Sequence, residues 1–207
     1  MAHKIAILVG SLRKDSINRK VARSICALRG DNLDCSMIEI GDLPLYNQDL
    51  DSNPPEQWVR FRQQIAAADG VLFVSPEYNR GIPGVLKNAI DVGSRPYGQS
   101  VFDKKPAAIV TVSPGSIGGF GSNHQIRQAA VFLNMPVMMQ PEAYLGQVSD
   151  ESFDADGCLK EGPLKELIAQ LAHAFAGWVE MIHRSRQLLA EDSAHAAKQK
   201  EAQKEPA

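Results

Sequence analysis

The chain has 207 residues, 44% of them hydrophobic, with 22 Lys and Arg against 24 Asp and Glu for a net charge of −2. That length suits one domain with a tail, and the near balance of charge removes any global attraction to nucleic acid or anionic lipid, so anion specificity must be local. No apolar run approaches the roughly 20 residues that span a bilayer, and Cys26, Cys35 and Cys158 form neither a C-x-x-C nor a metal spacing, which points to reduced thiols in a cytoplasmic protein. Met1-Ala2-His3-Lys4 leads straight into a strand-like run, without the cleavage site of a signal peptide.

Residues 5–9 are a short apolar run, read as a strand, followed by a helix over 17–28 whose Val21, Ala22, Ile25 and Cys26 share one face. Residues 34–40, with Cys35, Met37 and Glu39 on one side, read as an edge strand. A long loop through Pro44 and Pro54-Pro55 then leads to a helix carrying Trp58, Phe61, Ile65 and Ala68 at helical spacing. Gly70-Val71-Leu72-Phe73-Val74-Ser75 is nearly all apolar, the pattern of a central parallel strand covered on both faces. Pro83 fits the first turn of a helix continuing through Val85, Leu86, Ala89 and Ile90. Residues 106–112 form another buried strand entering a Gly/Ser-rich loop over 113–122. Ile126, Ala129, Ala130 and Leu133 mark the next helix, and 136–139 a short final strand. The last helix bears a continuous stripe through Leu164, Leu171, Phe175, Val179 and Ile182.

Strands alternating with helices indicate an α/β protein: a doubly wound, five-stranded parallel sheet with helices on both faces and right-handed crossovers. One domain covers residues 1–185. Residues 186–207 form a charged tail rich in Ala, Lys, Glu and Gln, which suits either a disordered segment or a solvated helical extension.

In open sheets of this kind, ligands bind beyond the carboxyl ends of the strands where the strand order reverses. Three polar loops lie at such ends: 10–18, 76–82 and 113–122. With strand order 2-1-3-4-5 they converge. The first, Gly10-Ser11-Leu12-Arg13-Lys14-Asp15-Ser16-Ile17-Asn18, precedes a helix, whose first N–H groups are unpaired and lie at its positive end. Ser11, Ser16 and Asn18 can donate to phosphate oxygens and Arg13 can pair with their charge. The alternative is that Ser16 or Asp15 caps the helix while Arg13 faces water. A single glycine, Gly10, makes it neither a dinucleotide fingerprint nor a nucleotide-triphosphate loop. In the second loop Tyr78 and its polar neighbours suit stacking and edge-on hydrogen bonds to a flat ring, or merely a tight connection packed on the sheet. The glycines of the third loop allow close approach to a ligand.

Ser11-Leu12-Arg13-Lys14 matches S-x-x-K, but the partner motifs of that hydrolase class and G-x-S-x-G are absent. The five histidines have no metal spacing. No acid–base pair stands out, so no catalytic side chain and no metal ligand is assigned. That fits hydride chemistry in which a flavin supplies the electronics and the protein supplies position.

Gly10-Ser11-Leu12-Arg13-x-x-Ser16-x-Asn18 after the first strand and Ser75-Pro76-Glu77-Tyr78-Asn79-x-x-Ile82-Pro83-Gly84-Val85-Leu86-Lys87-Asn88-Ala89-Ile90-Asp91 after the third together resemble the NADPH-dependent FMN reductases, over residues 4–183. That flavodoxin-like family includes quinone, azo-compound and chromate reductases. The resemblance implies an enzyme that passes two electrons from NADPH or NADH through FMN to a quinone, flavin, azo compound or similar small-molecule acceptor. It places the FMN phosphate on Ser11, Arg13, Ser16 and Asn18, counts Ile17 among the cofactor-binding residues, and places the isoalloxazine on Pro76, Glu77, Tyr78 and Asn79. Ser113, Gly115 and Gly118 would approach the other edge of the ring. It also implies a homodimer or homotetramer. A flavodoxin-type electron carrier without nicotinamide turnover, or a non-redox module for a phosphate ligand, would share the first loop. The tail after Arg186 departs from the shared pattern.

Overall fold

Alternate residues of the central strands point to opposite faces, and each face finds its own helices. The structure, a computed structural model, describes residues 2–28 and 32–202; residues 203–207 of the tail lie outside the described residues. Five parallel strands, β1 (His3–Val9), β2 (Leu33–Met37), β3 (Gly70–Ser75), β4 (Ala107–Val112) and β5 (Ala143–Leu145), form one sheet in the order β2-β1-β3-β4-β5. Ile5, Ile7, Leu72, Val74, Ala108 and Val110 pack against Val21 and Ile25 of α1 (Ile17–Leu28) and Leu171, Phe175 and Val179 of α5 (Pro163–Ala202). Ala6, Leu8, Val71, Phe73 and Ile109 face the other core. There they meet Trp58 and Phe61 of α2 (Glu56–Ala66), Leu86 and Ile90 of α3 (Gly84–Gly93), and Ile126 of α4 (Phe120–Phe132). This is the doubly wound, flavodoxin-like arrangement expected from the sequence.

Trp58 anchors the second core: its ring is fully buried, lies against Tyr46 at 5.4 Å, and donates through Nε1 to Pro44 O at 2.9 Å. Trp58→Ala would remove both the packing and the bond to the long 41–55 loop. It is expected to lower stability by about 3–5 kcal/mol, read from the urea midpoint.

Several boundaries differ from the sequence reading, among them the edge strand, which ends at Met37 rather than at residue 40. The final strand is Ala143–Leu145, not residues 136–139: Val137 makes only an isolated bridge to Ala107 at the start of β4, whereas 143–145 pair with Val110, Thr111 and Val112 at its far end. A three-residue strand with polar flanks carries almost no periodic signal. Helix α4 begins at Phe120, inside the Gly/Ser-rich loop, because the Glu77 carboxylate accepts from Ser122 N at 3.1 Å and satisfies one of its unpaired first-turn donors. Pro83 stands just before α3 in extended conformation rather than within it. Helix α5 continues beyond Arg186 to Ala202.

Candidate active site

The carboxyl ends of β1, β3 and β4 open onto one cavity of about 310 Å³, lined by Ser11, Arg13, Ser16, Ile17, Asn18, Pro76, Glu77, Tyr78, Val112, Ser113 and Pro114. The three loops converge because β1, β3 and β4 are adjacent in the sheet. At the first crossing, Gly10 donates its N–H to Val74 O at 2.9 Å, and a Cβ there would sit 2.6 Å from Ser75 Oγ. Glycine at position 10 therefore lets the first loop leave β1 tight against β3.

Ser11, Ser16 and Asn18 are buried. Ser16 Oγ accepts from Arg19 N at 3.3 Å, so it does cap α1. A hydroxyl that accepts there still has its own proton to donate into the cavity, and the capping and phosphate readings are compatible. Asn18 is only 6% exposed, and its Oδ1 is among the buried side-chain atoms with no hydrogen-bond partner. An unpartnered buried amide oxygen costs about 1–3 kcal/mol, a cost that a ligand bearing hydroxyls removes. Arg13 is the one cation among the lining residues and is exposed. The one carboxylate among them, Glu77, is 9% exposed, with Oε2 held by Ser122 N and Oε1 by Arg80 Nη1 at 3.0 Å. The cavity thus has three serine hydroxyls, an amide, a guanidinium and the N-terminus of α1, the donor set a phosphomonoester on a polyol requires.

The second loop is a tight turn. Tyr78 N donates to Gly81 O at 3.1 Å and Gly81 N to Tyr78 O at 3.0 Å, with φ of 52° at Asn79 and 66° at Arg80. Two successive positive φ values make a type I′ turn, with both tip residues exposed. Ile82 N donates to Gln125 Oε1 at 3.0 Å, so α4 pins the turn through Gln125 as well as through Ser122. Tyr78 is 50% exposed above the cavity, free to lie along a flat ligand.

Asn79, Gly115 and Gly118 are not brought to the cavity wall. Asn79 forms the outer corner of the turn. Gly115 N donates to Ser113 Oγ at 3.1 Å and its oxygen accepts from Gly118 N and Gln147 N, which turns it toward β5. Gly118 is buried with φ of 65°, and a Cβ there would lie 2.5 Å from the Tyr144 carbonyl. Its close approach is to Tyr144 of β5. Conversely, Val112 and Pro114 line the cavity and escaped sequence reasoning, since a strand-end valine and a loop proline carry no chemical signal. Beside this loop, Tyr144 donates to Glu142 Oε1 at 2.9 Å and lies 5.4 Å from Phe120; burial, then that bond, raise its phenol above the ordinary range. Below Arg13, the bond from Lys20 holds the Asp150 carboxyl below its usual range.

Residues 3–150 match the NADPH-dependent FMN reductase family. The chain belongs to that family. It is 54% identical over 180 residues to a quinone reductase of Pseudomonas putida, covering 86% of this chain and 96% of that one. It is 45% identical over 180 residues to a 2-hydroxy-1,4-benzoquinone reductase of a Burkholderia species, covering 86% and 97%. Among solved structures it resembles FerB, a flavoenzyme NAD(P)H:(acceptor) oxidoreductase of Paracoccus denitrificans, with a TM-score of 0.83 and 38% identity over 87% of this chain and 98% of that one. The matched residues 3–150 take in all five strands and helices α1 to α4, and α5 lies beyond them. No helix among the described residues is long and apolar enough to cross a membrane.

Proposed function

We propose that the protein is an NAD(P)H-dependent FMN quinone reductase, holding FMN across the three loops. The supporting observation is the cavity itself, where buried Ser11, Ser16 and Asn18 meet Arg13, the turn after β3 and Ser113. The hydroxyls, the Asn18 amide, Arg13 and the first N–H groups of α1 at Ile17 and Asn18 would hold the phosphate. Pro76, Glu77 and Tyr78 on one side and Val112, Ser113 and Pro114 on the other would flank the isoalloxazine, chiefly through backbone groups. Asn79, Gly115 and Gly118 would act from behind, shaping the two loops. When bound, FMN supplies the redox chemistry, accepting hydride from NADPH or NADH and returning two electrons to the acceptor. The side chains here bind, orient and partly exclude water. None is assigned a proton to move, in keeping with a site whose one carboxylate is tied to α4 and Arg80.

A quinone is the acceptor best supported, because the relatives at 54% and 45% identity are named for quinone reduction. The cytoplasm, where reduced nicotinamides are held, is the compartment this reading calls for. A homodimer or homotetramer is supported by the open groove of about 470 Å³ between α3 and α4 and the exposed Val131 and Phe132 beside it.

Protein reconstituted with FMN is expected to lose its visible flavin absorbance when NADPH or NADH is added anaerobically, and to regain it on addition of benzoquinone. Uptake of FMN without bleaching by either nucleotide would make it an electron carrier. Failure to take up FMN would make it a module for another phosphate ligand.

A further inference from the structure

Arg80 is the side chain beside the cavity that holding FMN leaves without a task. It stands at the tip of the turn whose Tyr78 and Glu77 line the cavity, and its side chain is 73% exposed. One bond, Nη1 to Glu77 Oε1 at 3.0 Å, tethers it. Its backbone is in the left-handed region at φ 66°, which a residue with a Cβ occupies only at a cost of about 1–2 kcal/mol. Glycine or asparagine would fill that corner of a type I′ turn more easily. Arginine there is paid for by the pins on either side, Glu77 to Ser122 N and Ile82 N to Gln125, which hold the turn whatever its tip carries. The Glu77 bond offsets part of the guanidinium charge and fixes its direction, while Nε and Nη2 remain as donors in a planar fork suited to phosphate oxygens.

We propose that Arg80 binds the phosphate-bearing part of the incoming nicotinamide dinucleotide, and so recognises the electron donor rather than the flavin. The inference rests on the reductase reading, because it needs a nicotinamide to approach the ring over Tyr78. A dinucleotide brings a pyrophosphate in both NADH and NADPH and a 2′-phosphate in NADPH alone. Arg13, the cation that lines the cavity, sits on the first loop with the FMN phosphate and is assigned to it. Arg80 lies instead on the second loop, at the ring end, within one ion pair of the cavity wall. Arg80 is thus a specificity-determining residue whose contribution vanishes for a hydride donor that carries no phosphate.

The test compares wild type with Arg80→Ala and Arg80→Lys, each loaded with FMN and checked by its flavin spectrum, using NADPH, NADH and the uncharged donor 1-benzyl-1,4-dihydronicotinamide. In Arg80→Ala, KM for the dinucleotides is expected to rise roughly ten- to a hundred-fold, the loss of one or two charge-assisted bonds. KM for the uncharged donor should not change, and Arg80→Lys should recover part of the loss. Calorimetric titration of NADP⁺ and NAD⁺ should show the same weakening at equilibrium. A rise for NADPH and NADH alike assigns the pyrophosphate; a rise for NADPH alone assigns the 2′-phosphate. Equal changes with all three donors would show Arg80 to be merely structural, and no change with any would leave it without a role; both outcomes overturn the proposal. Wild type that binds FMN but is reduced by none of the three would instead overturn the reductase reading itself.

Discussion

Arg13→Ala is expected to weaken FMN binding roughly ten- to a hundred-fold, with little change in stability. A charge-assisted hydrogen bond contributes about 1.5–3 kcal/mol, and about 1.4 kcal/mol corresponds to tenfold in affinity. Arg13 is exposed, so its removal buries no unpaired group and empties no core volume. The contrast with its neighbour is diagnostic. Ser16→Ala would also remove the bond from Arg19 N that caps α1, at a cost of about 0.5–2 kcal/mol in stability. Titration of apoprotein with FMN, followed by flavin fluorescence alongside urea melts, separates the two. Unchanged affinity in Arg13→Ala would remove that residue from the phosphate site.

Gly118→Ala is expected to cost about 2–5 kcal/mol, from a left-handed backbone that L side chains resist and from overpacking. The added Cβ would lie 2.5 Å from both the carbon and the oxygen of the Tyr144 carbonyl. Neither is a flexible side-chain end, so either β5 or the loop after β4 must move. Gly115→Ala serves as the control. Its Cβ would meet only Ser113 Oγ at 3.5 Å, and its φ is not positive, so stability should stay within about 0.5 kcal/mol of wild type. Denaturant midpoints of the two variants read the difference. If they unfold alike, the loop after β4 is not held by its approach to β5.

The first loop was legible in the sequence because its signals are local. An apolar strand, one glycine, two serines and an asparagine before a helical stripe specify a strand–loop–helix with donors at its centre, and Ser11, Ser16 and Asn18 are buried there. The contacts of the third loop are not local in the same way. Gly115 and Gly118 read as room for a ligand, but Gly118 makes room for Tyr144, twenty-six positions on in the chain and adjacent only once β5 pairs with β4. The role of Glu77 was hidden for the same reason. As a polar residue in a turn it suits a ligand as well as a helix cap, and only the tertiary structure brings Ser122 N beside it while keeping it on the cavity wall.

The sequence by itself determined the doubly wound class, because apolar strand runs and helical stripes alternate along it, and the parallel sheet needs a crossover between each pair of strands. It also determined the donor chemistry of the first loop and the family. Only the tertiary structure decided which strand closes the sheet, how the three loops meet, and which loop groups face the cavity rather than one another. Those depend on pairings between residues far apart in the chain, where the choice is made by strand adjacency and by unpaired N–H groups and carboxylates finding partners, and no local pattern encodes that.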